Sequence, residues 1–237
     1  MAPLTDPNPD IQRLREEYTR RALSAGRDDR YSSSNPAYQW LMATRHQAII
    51  ELLDHFQRKD LSQLRILEMG CGSGGVLQEF ISLGAEPSNV YGVDLLFDRL
   101  RVASCNLPAC SYITANGQQL PLPADSFDLV LQFTAFSSIL DPATKLTMAA
   151  EMVRVLKSGG GILWYDFVWN PLNRQTDGIP LSQVKKLFPE MQITSRRITL
   201  APPLTRILLP RFQSIAKGLT KLCFLNSHLL IWIQKDN

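Results

Sequence analysis

Two carboxylates and a run of glycines in this chain are spaced as a small-ligand site. Glu68 stands two residues before Gly70, Cys71, Gly72 and Gly74 continue the turn, and Asp94 follows Gly74 by 20 residues. Glycines let a backbone turn sharply and approach a ligand closely, and a helix opening just after them offers unpaired N–H groups. Read literally, Gly70, Gly72 and Gly75 satisfy the G-x-G-x-x-G dinucleotide fingerprint, with Asp94 where an acid would hold ribose hydroxyls. A nicotinamide-dependent oxidoreductase is therefore one reading. Glu68 opposes it, because a carboxylate there suits a cationic amino acid or sulfonium group and would repel a pyrophosphate. The roughly 60 residues before the turn oppose it too, since dinucleotide domains often begin with the motif. Gly75 also fits a packing role, permitting close approach of helix and sheet. Two further groups could move protons. Asp166 ends an apolar run, where it would orient or deprotonate an acceptor hydroxyl or else cap a turn before Asn170 and Pro171. His228 opens the last apolar run, as a base or as a structural histidine.

Several segments together resemble one family. Glu68-Met69-Gly70-Cys71-Gly72-Ser73-Gly74 is similar to the E/D-x-G-x-G-x-G motif of class I S-adenosylmethionine (SAM) dependent methyltransferases. Gly92-Val93-Asp94 resembles that family's second-strand acid, and Ala115 to Pro121 its A-D-A-x-x-L-P loop. Phe127 to Val130 resembles its fourth strand, and Val155 to Gly160 the turn before its fifth. The matches keep the family's order across roughly residues 60–167. The resemblance implies that Gly70, Cys71, Gly72 and Gly74 line SAM, with Glu68 facing its methionine part. It implies that Asp94 holds both ribose hydroxyls, with Leu95 against the adenine. Asn116, Gly117 and Gln118 would read the adenine edge, and Gln132 and Phe133 would lie near the methionine part. Asn116 departs from the family, which usually has Asp there, although an amide carbonyl can still accept from the adenine amine. A weaker resemblance, over about 164–235, is to bacterial methyltransferases of polysaccharide and glycolipid clusters. It implies O-methylation of a small-molecule or glycan acceptor. A nucleoside-binding module without chemistry is the non-enzymatic alternative.

The elements that must position these residues follow from periodicity and punctuation. Asn8-Pro9 and Asn35-Pro36 each read as a cap followed by Pro at the first helical position, opening helices over 9–24 and 36–57. Apolar runs then alternate with helical stretches, as βαβ units require. Strands are predicted at 64–69, 90–94, 110–115, 127–132, 161–167, 191–199 and 228–234, and helices at 74–83, 96–106, 142–157 and 181–188. The expected fold is α/β, a doubly wound, mostly parallel seven-stranded sheet with an antiparallel last strand. Residues 1–60 form a helical cap and 61–237 the SAM-binding domain. Tyr31, Tyr38, Trp40 and Arg45 on the cap are candidates to close the pocket.

Residues 203–224 are an insert before the last strand with four cations (Arg206, Arg211, Lys217 and Lys221), no acid and many apolar residues. Pro210 and Gly218 are expected to break it into short helical pieces. Such interleaving fits an ordinary amphipathic cover, or peripheral membrane contact serving a lipid-linked acceptor.

Composition bounds the rest. The 237 residues are 45% hydrophobic and 20% charged with a net charge of +3, which fits one large globular domain and gives no electrostatic case for nucleic acid. After the fourth strand the chain continues Gln132-Phe133-Thr134-Ala135, without the Asn-Pro-Pro signature that resembles amino-methylating DNA enzymes. The four cysteines and three histidines are scattered, so neither a metal site nor a C-x-x-C centre is expected. With no secretory leader and no apolar run of 18 residues, the expected location is the cytoplasm.

Overall fold

The computed structural model describes residues 9–24, 32, 34–169 and 175–236. Tyr31, Asn170 and Pro171 lie outside the described residues. Two helices come first, α1 (Pro9–Ser24) and α2 (Pro36–His55). The start of α2 is set by its cap: the Asn35 side chain accepts from the N–H groups of Ala37 and Tyr38, and Pro36 needs no donor at that position. The sheet follows: β1 (Ile66–Met69), α3 (Gly75–Ser82), β2 (Val90–Asp94), α4 (Phe97–Asn106), β3 (Ser111–Thr114), β4 (Phe127–Phe133), α5 (Pro142–Val155) and β5 (Leu156–Phe167). Then come α6 (Leu181–Leu187), β6 (Gln192–Leu200), α7 (Pro202–Leu208), α8 (Gln213–Thr220) and β7 (Asn226–Gln234).

The strand order is β3-β2-β1-β4-β5-β7-β6, with β7 antiparallel to both neighbours and the pairs from β3 to β5 parallel. Alternate residues feed two cores. Leu67, Met69, Val130, Ile162 and Trp164 pack under α1, α5 and α6. Ile66, Leu129, Leu131, Leu163 and Trp232 pack under α2, α3 and α4. This two-sided burial explains why the strands read as continuous apolar runs. The order reverses at β1, which pairs with β2 on one side and β4 on the other. The crevice at such a reversal, beyond the carboxyl ends of the strands, is where open α/β sheets bind ligands.

Three of the differences from the expected boundaries have a clear physical cause. β5 begins at Leu156 rather than 161, because Leu156 pairs with Phe127 before a register shift that bulges out Lys157–Gly160. Gly159 takes a positive φ of 69° there. β7 begins at Asn226, where buried Asn226 and Ser227 already pair along β6 and β5. In the insert the break falls at Leu209–Arg211, while Gly218 stays inside α8. Pro210 has no N–H to continue a helix, whereas Gly218 lacks only a side chain.

Candidate functional site

The glycine turn is held by backbone bonds across the switch point. The N–H groups of Gly70 and Cys71 both donate to the Val93 carbonyl, at 2.8 and 3.0 Å. Gly70, Gly72 and Gly74 have φ of 73°, 54° and 84°, the left-handed region that glycine tolerates. A Cβ on Gly70 would also lie 2.7 Å from the Ala135 Cβ, so no larger residue fits. Gly75 differs: a Cβ there meets nothing within 4 Å. Close helix–sheet packing therefore does not explain Gly75, and with it goes the packing role that the third glycine has in the dinucleotide fingerprint.

Asp94 ends β2 with each carboxylate oxygen accepting one backbone bond, which leaves further acceptor capacity on both. The Gly72 N–H donates to Oδ2 at 2.8 Å and the Leu96 N–H to Oδ1 at 2.9 Å. Arg99, one turn into α4, reaches to 3.8 Å from Asp94 and lies over the Tyr18 ring at 4.9 Å. Glu68 is only 2% exposed, and its Oε2 has no hydrogen-bond partner. Burial pushes its pKa up to about 8, against the opposing pull of Arg45. A buried carboxyl with an unused oxygen at the end of β1 is poised for a cationic or hydrogen-bonding ligand group.

Between these residues and α1 is a cavity of about 150 Å³. Of the residues expected at the cofactor site, Gly70, Asp94, Leu95, Asn116, Gly117 and Phe133 line it. The structure adds a roof from α1 (Ile11, Leu14 and Tyr18) and a floor from the loop after β4, including Thr134 and Ser138. Arg13 donates to the Ser138 carbonyl, the Tyr18 hydroxyl lies 3.0 Å from that of Ser138, and Asp10 Oδ2 accepts from the Leu140 and Asp141 N–H groups. These bonds pin α1 across the crevice. The i, i+3, i+7 spacing of Ile11, Leu14 and Tyr18 was the available signal. Thr134 has φ of 58°, unusual for a β-branched residue and placed where the chain leaves β4 at the cavity edge.

Glu68, Cys71, Gly72, Gly74, Gln118, Gln132, Asp166 and His228 lie around the cavity rather than in its lining. Cys71 is buried against Gly92, and burial raises its thiol pKa. Asn116 Oδ1 accepts from the Gln118 N–H, so it shapes its own loop. Gln132 is fully buried, donates to Asp166 at 2.8 Å and leaves its Oε1 unpartnered. Asp166 is fully buried, and Oδ2 also accepts from the Ser137 N–H at 3.0 Å while Oδ1 accepts from the Phe167 N–H. It caps the turn after β4, and burial lifts its pKa to about 6. His228 is stacked on Tyr165 at 4.6 Å between ring centroids, with Nδ1 3.0 Å from the Ser227 hydroxyl. Burial, aided by the nearby Arg45 charge, lowers its pKa to about 3 and keeps the ring neutral.

The cap aromatics go elsewhere. Trp40 packs on the insert's small core. Arg45 pairs with Glu79 and lies over Phe133 and Tyr165.

Exchanging Gly70 for alanine is expected to abolish ligand binding and lower the melting temperature by several degrees. The Cβ would both force a strained φ and strike Ala135. Calorimetry and thermal unfolding check this, and a Gly75→Ala control should leave both unchanged.

Residues 66–160 match the methyltransferase-domain family. The chain is 32% identical over 143 residues to phthiotriol/phenolphthiotriol dimycocerosates methyltransferase 1 of Mycobacterium ulcerans, covering 54% of this chain and 48% of that protein. It is 28% identical over 132 residues to a ubiquinone/menaquinone biosynthesis C-methyltransferase of Vibrio vulnificus, covering 52% and 50%. It is 32% identical over 109 residues to a fatty-acid O-methyltransferase of Mycolicibacterium smegmatis, covering 45% and 38%. The chain thus spans about half the length, or less, of these relatives. Its fold is shared with a SAM-dependent methyltransferase of Methanosarcina mazei, at a TM-score of 0.58 and 18% identity, over 78% of this chain and 97% of that one.

Proposed function

We propose that this chain is a class I SAM-dependent methyltransferase acting on a small-molecule acceptor, a reading supported by the match of residues 66–160 to the methyltransferase-domain family. The observation that carries this reading is Glu68, buried at the end of β1 with one oxygen unpartnered, beside the left-handed glycine turn. SAM supplies a methyl group on a cationic sulfur, and a carboxylate beside that charge stabilises it. Asp94, held rigid by two backbone donors, fits the paired hydroxyls of a ribose. Gly117 leaves room at the adenine end, where a Cβ would lie 2.7 Å from the Met148 methyl. Leu95 and Phe133 supply apolar walls, and α1 excludes water from above.

The donor carries its own activation, so much of the chain's contribution is positioning. Asp166 serves by fixing the turn that carries Thr134 and Ser138, and neutral His228 by stacking under Tyr165. In this reading both are positioning residues. O-methylation of a small-molecule or glycan hydroxyl in the cytoplasm is the finer form of the proposal. An O-methyltransferase and a C-methyltransferase among the relatives leave the attacked atom to experiment.

Isothermal calorimetry tests the reading. SAM and S-adenosylhomocysteine are expected to bind with similar micromolar affinity, and NAD not to bind. NAD binding without SAM binding would overturn the proposal in favour of an oxidoreductase.

A further inference from the structure

We propose that the outward face of α7, α8 and the turn after them docks on an anionic membrane surface, presenting the carboxyl edge of the sheet to lipid. The insert packs inward through a small core of Leu200, Leu209 and Ala216, with Trp40, Leu204, Leu208, Leu219 and Leu225 against it. Five other large apolar residues face out. Ile207 is 76% exposed and Phe224 70%, and Phe212, Ile215 and Leu222 are also exposed. Arg206, Arg211, Lys217 and Lys221 are exposed among them.

An ordinary amphipathic cover turns its apolar side in and its cations out. Here Ile207 stands exposed beside Arg206, and Phe212 beside Arg211. Large apolar residues interleaved with cations along an exposed segment mark an interfacial surface rather than a solvated one. No Asp or Glu occurs from Met191 to Lys235, so no acid of the insert or its flanking strands opposes a negative surface. Among the described residues no helix is long and apolar enough to cross a membrane.

The topology gives the docking a purpose. Phe133 of β4 aligns with Tyr165 of β5, Phe167 of β5 with His228, and Leu200 of β6 with Asn226. The insert therefore leaves β6 and rejoins β7 at the edge where β1 and β4 end, three and two strand spacings from β4, or roughly 14 and 10 Å. That purpose rests on the methyltransferase reading, whereas the docking does not.

Vesicle co-sedimentation tests it, with phosphatidylcholine vesicles compared with vesicles containing about one-third phosphatidylglycerol. Each cation near an anionic surface contributes about fivefold in affinity. The wild-type chain is expected to prefer the anionic vesicles at least tenfold, and to release them at high salt, where the Debye length shrinks. A variant with Arg206→Gln, Arg211→Gln, Lys217→Gln and Lys221→Gln should lose that preference. A second, with Ile207→Ser, Phe212→Ser, Ile215→Ser and Phe224→Ser, should lose the binding while keeping its charge. Thermal unfolding of all three proteins shows that they are folded and keeps this test separate from the catalytic proposal. Equal binding to both vesicles, or none, overturns the docking. So does a wild-type dimer in light scattering that the serine variant abolishes without any vesicle binding, which would assign the face to self-association.

Discussion

Replacing Asp94 with alanine is expected to raise the SAM dissociation constant by one to two orders of magnitude. A hydrogen bond to a charged group is worth about 1.5–3 kcal/mol, and each 1.4 kcal/mol is roughly tenfold. The geometry adds a second consequence. Asp94 accepts from the Gly72 and Leu96 N–H groups, so its carboxylate also ties the glycine turn to the start of α4. Alanine leaves two donors without an acceptor in a poorly solvated place, at a cost of about 1–3 kcal/mol each where no water enters. The variant should therefore lose stability as well as affinity. Asp94→Asn separates the two effects. Its single carbonyl oxygen can still accept one of the backbone bonds, so its melting temperature should lie nearer that of the wild type while SAM affinity still falls. Calorimetry paired with thermal unfolding measures both. A well-folded Asp94→Ala protein with an unchanged dissociation constant would remove Asp94 from the cofactor site.

The parts of this structure that were legible in the sequence are those fixed by local chemistry. Asn35-Pro36 specifies a helix start by its own cap, and the glycine turn is specified by the φ values it must adopt. The strand order at β1 follows from the βαβ pattern and the motif's place at the first strand. What was not legible depends on long-range contact. Asp10 and Arg13 of α1 reach residues 138–141, and the apolar spacing of Ile11, Leu14 and Tyr18 announces a buried helix face but not that it roofs the cavity. Asp166 read equally as a base or as a cap, and only the fold brings Ser137 and Gln132 to its oxygens. Arg99 was missed because one arginine in a helix carries no periodic or motif signal. The bulge before β5 was read as a plain turn, since a bulge and a turn use the same glycines.

SAM binding is expected to tighten as pH rises from 6 to 8, by up to about tenfold per unit, and Glu68 is the cause. In the cofactor-free protein burial raises the Glu68 carboxyl to about pH 8, so it is mostly protonated at pH 6. A cationic ligand favours the carboxylate, so binding must release the proton, and the cost of that release shrinks as pH approaches 8. At pH 7 the release appears as a calorimetric enthalpy that varies with the ionisation enthalpy of the buffer. Glu68→Gln has no proton to lose and should show neither the release nor the steep rise. Titration of the ligand's own amino group, near pH 8, is common to both proteins and cancels in the ratio of their affinities. Folding stability gives an independent check of the sign. Between the ordinary value of 4.5 and the folded value of about 8, the folded protein holds a proton that the unfolded chain has lost. Glu68 therefore destabilises the cofactor-free fold progressively as pH rises through that window. The Gln variant should melt close to wild type at pH 4.5 and above it at pH 8.5. A ratio of wild-type to variant affinity that stays constant from pH 6 to 8 would show that Glu68 is not the group facing the ligand's positive charge.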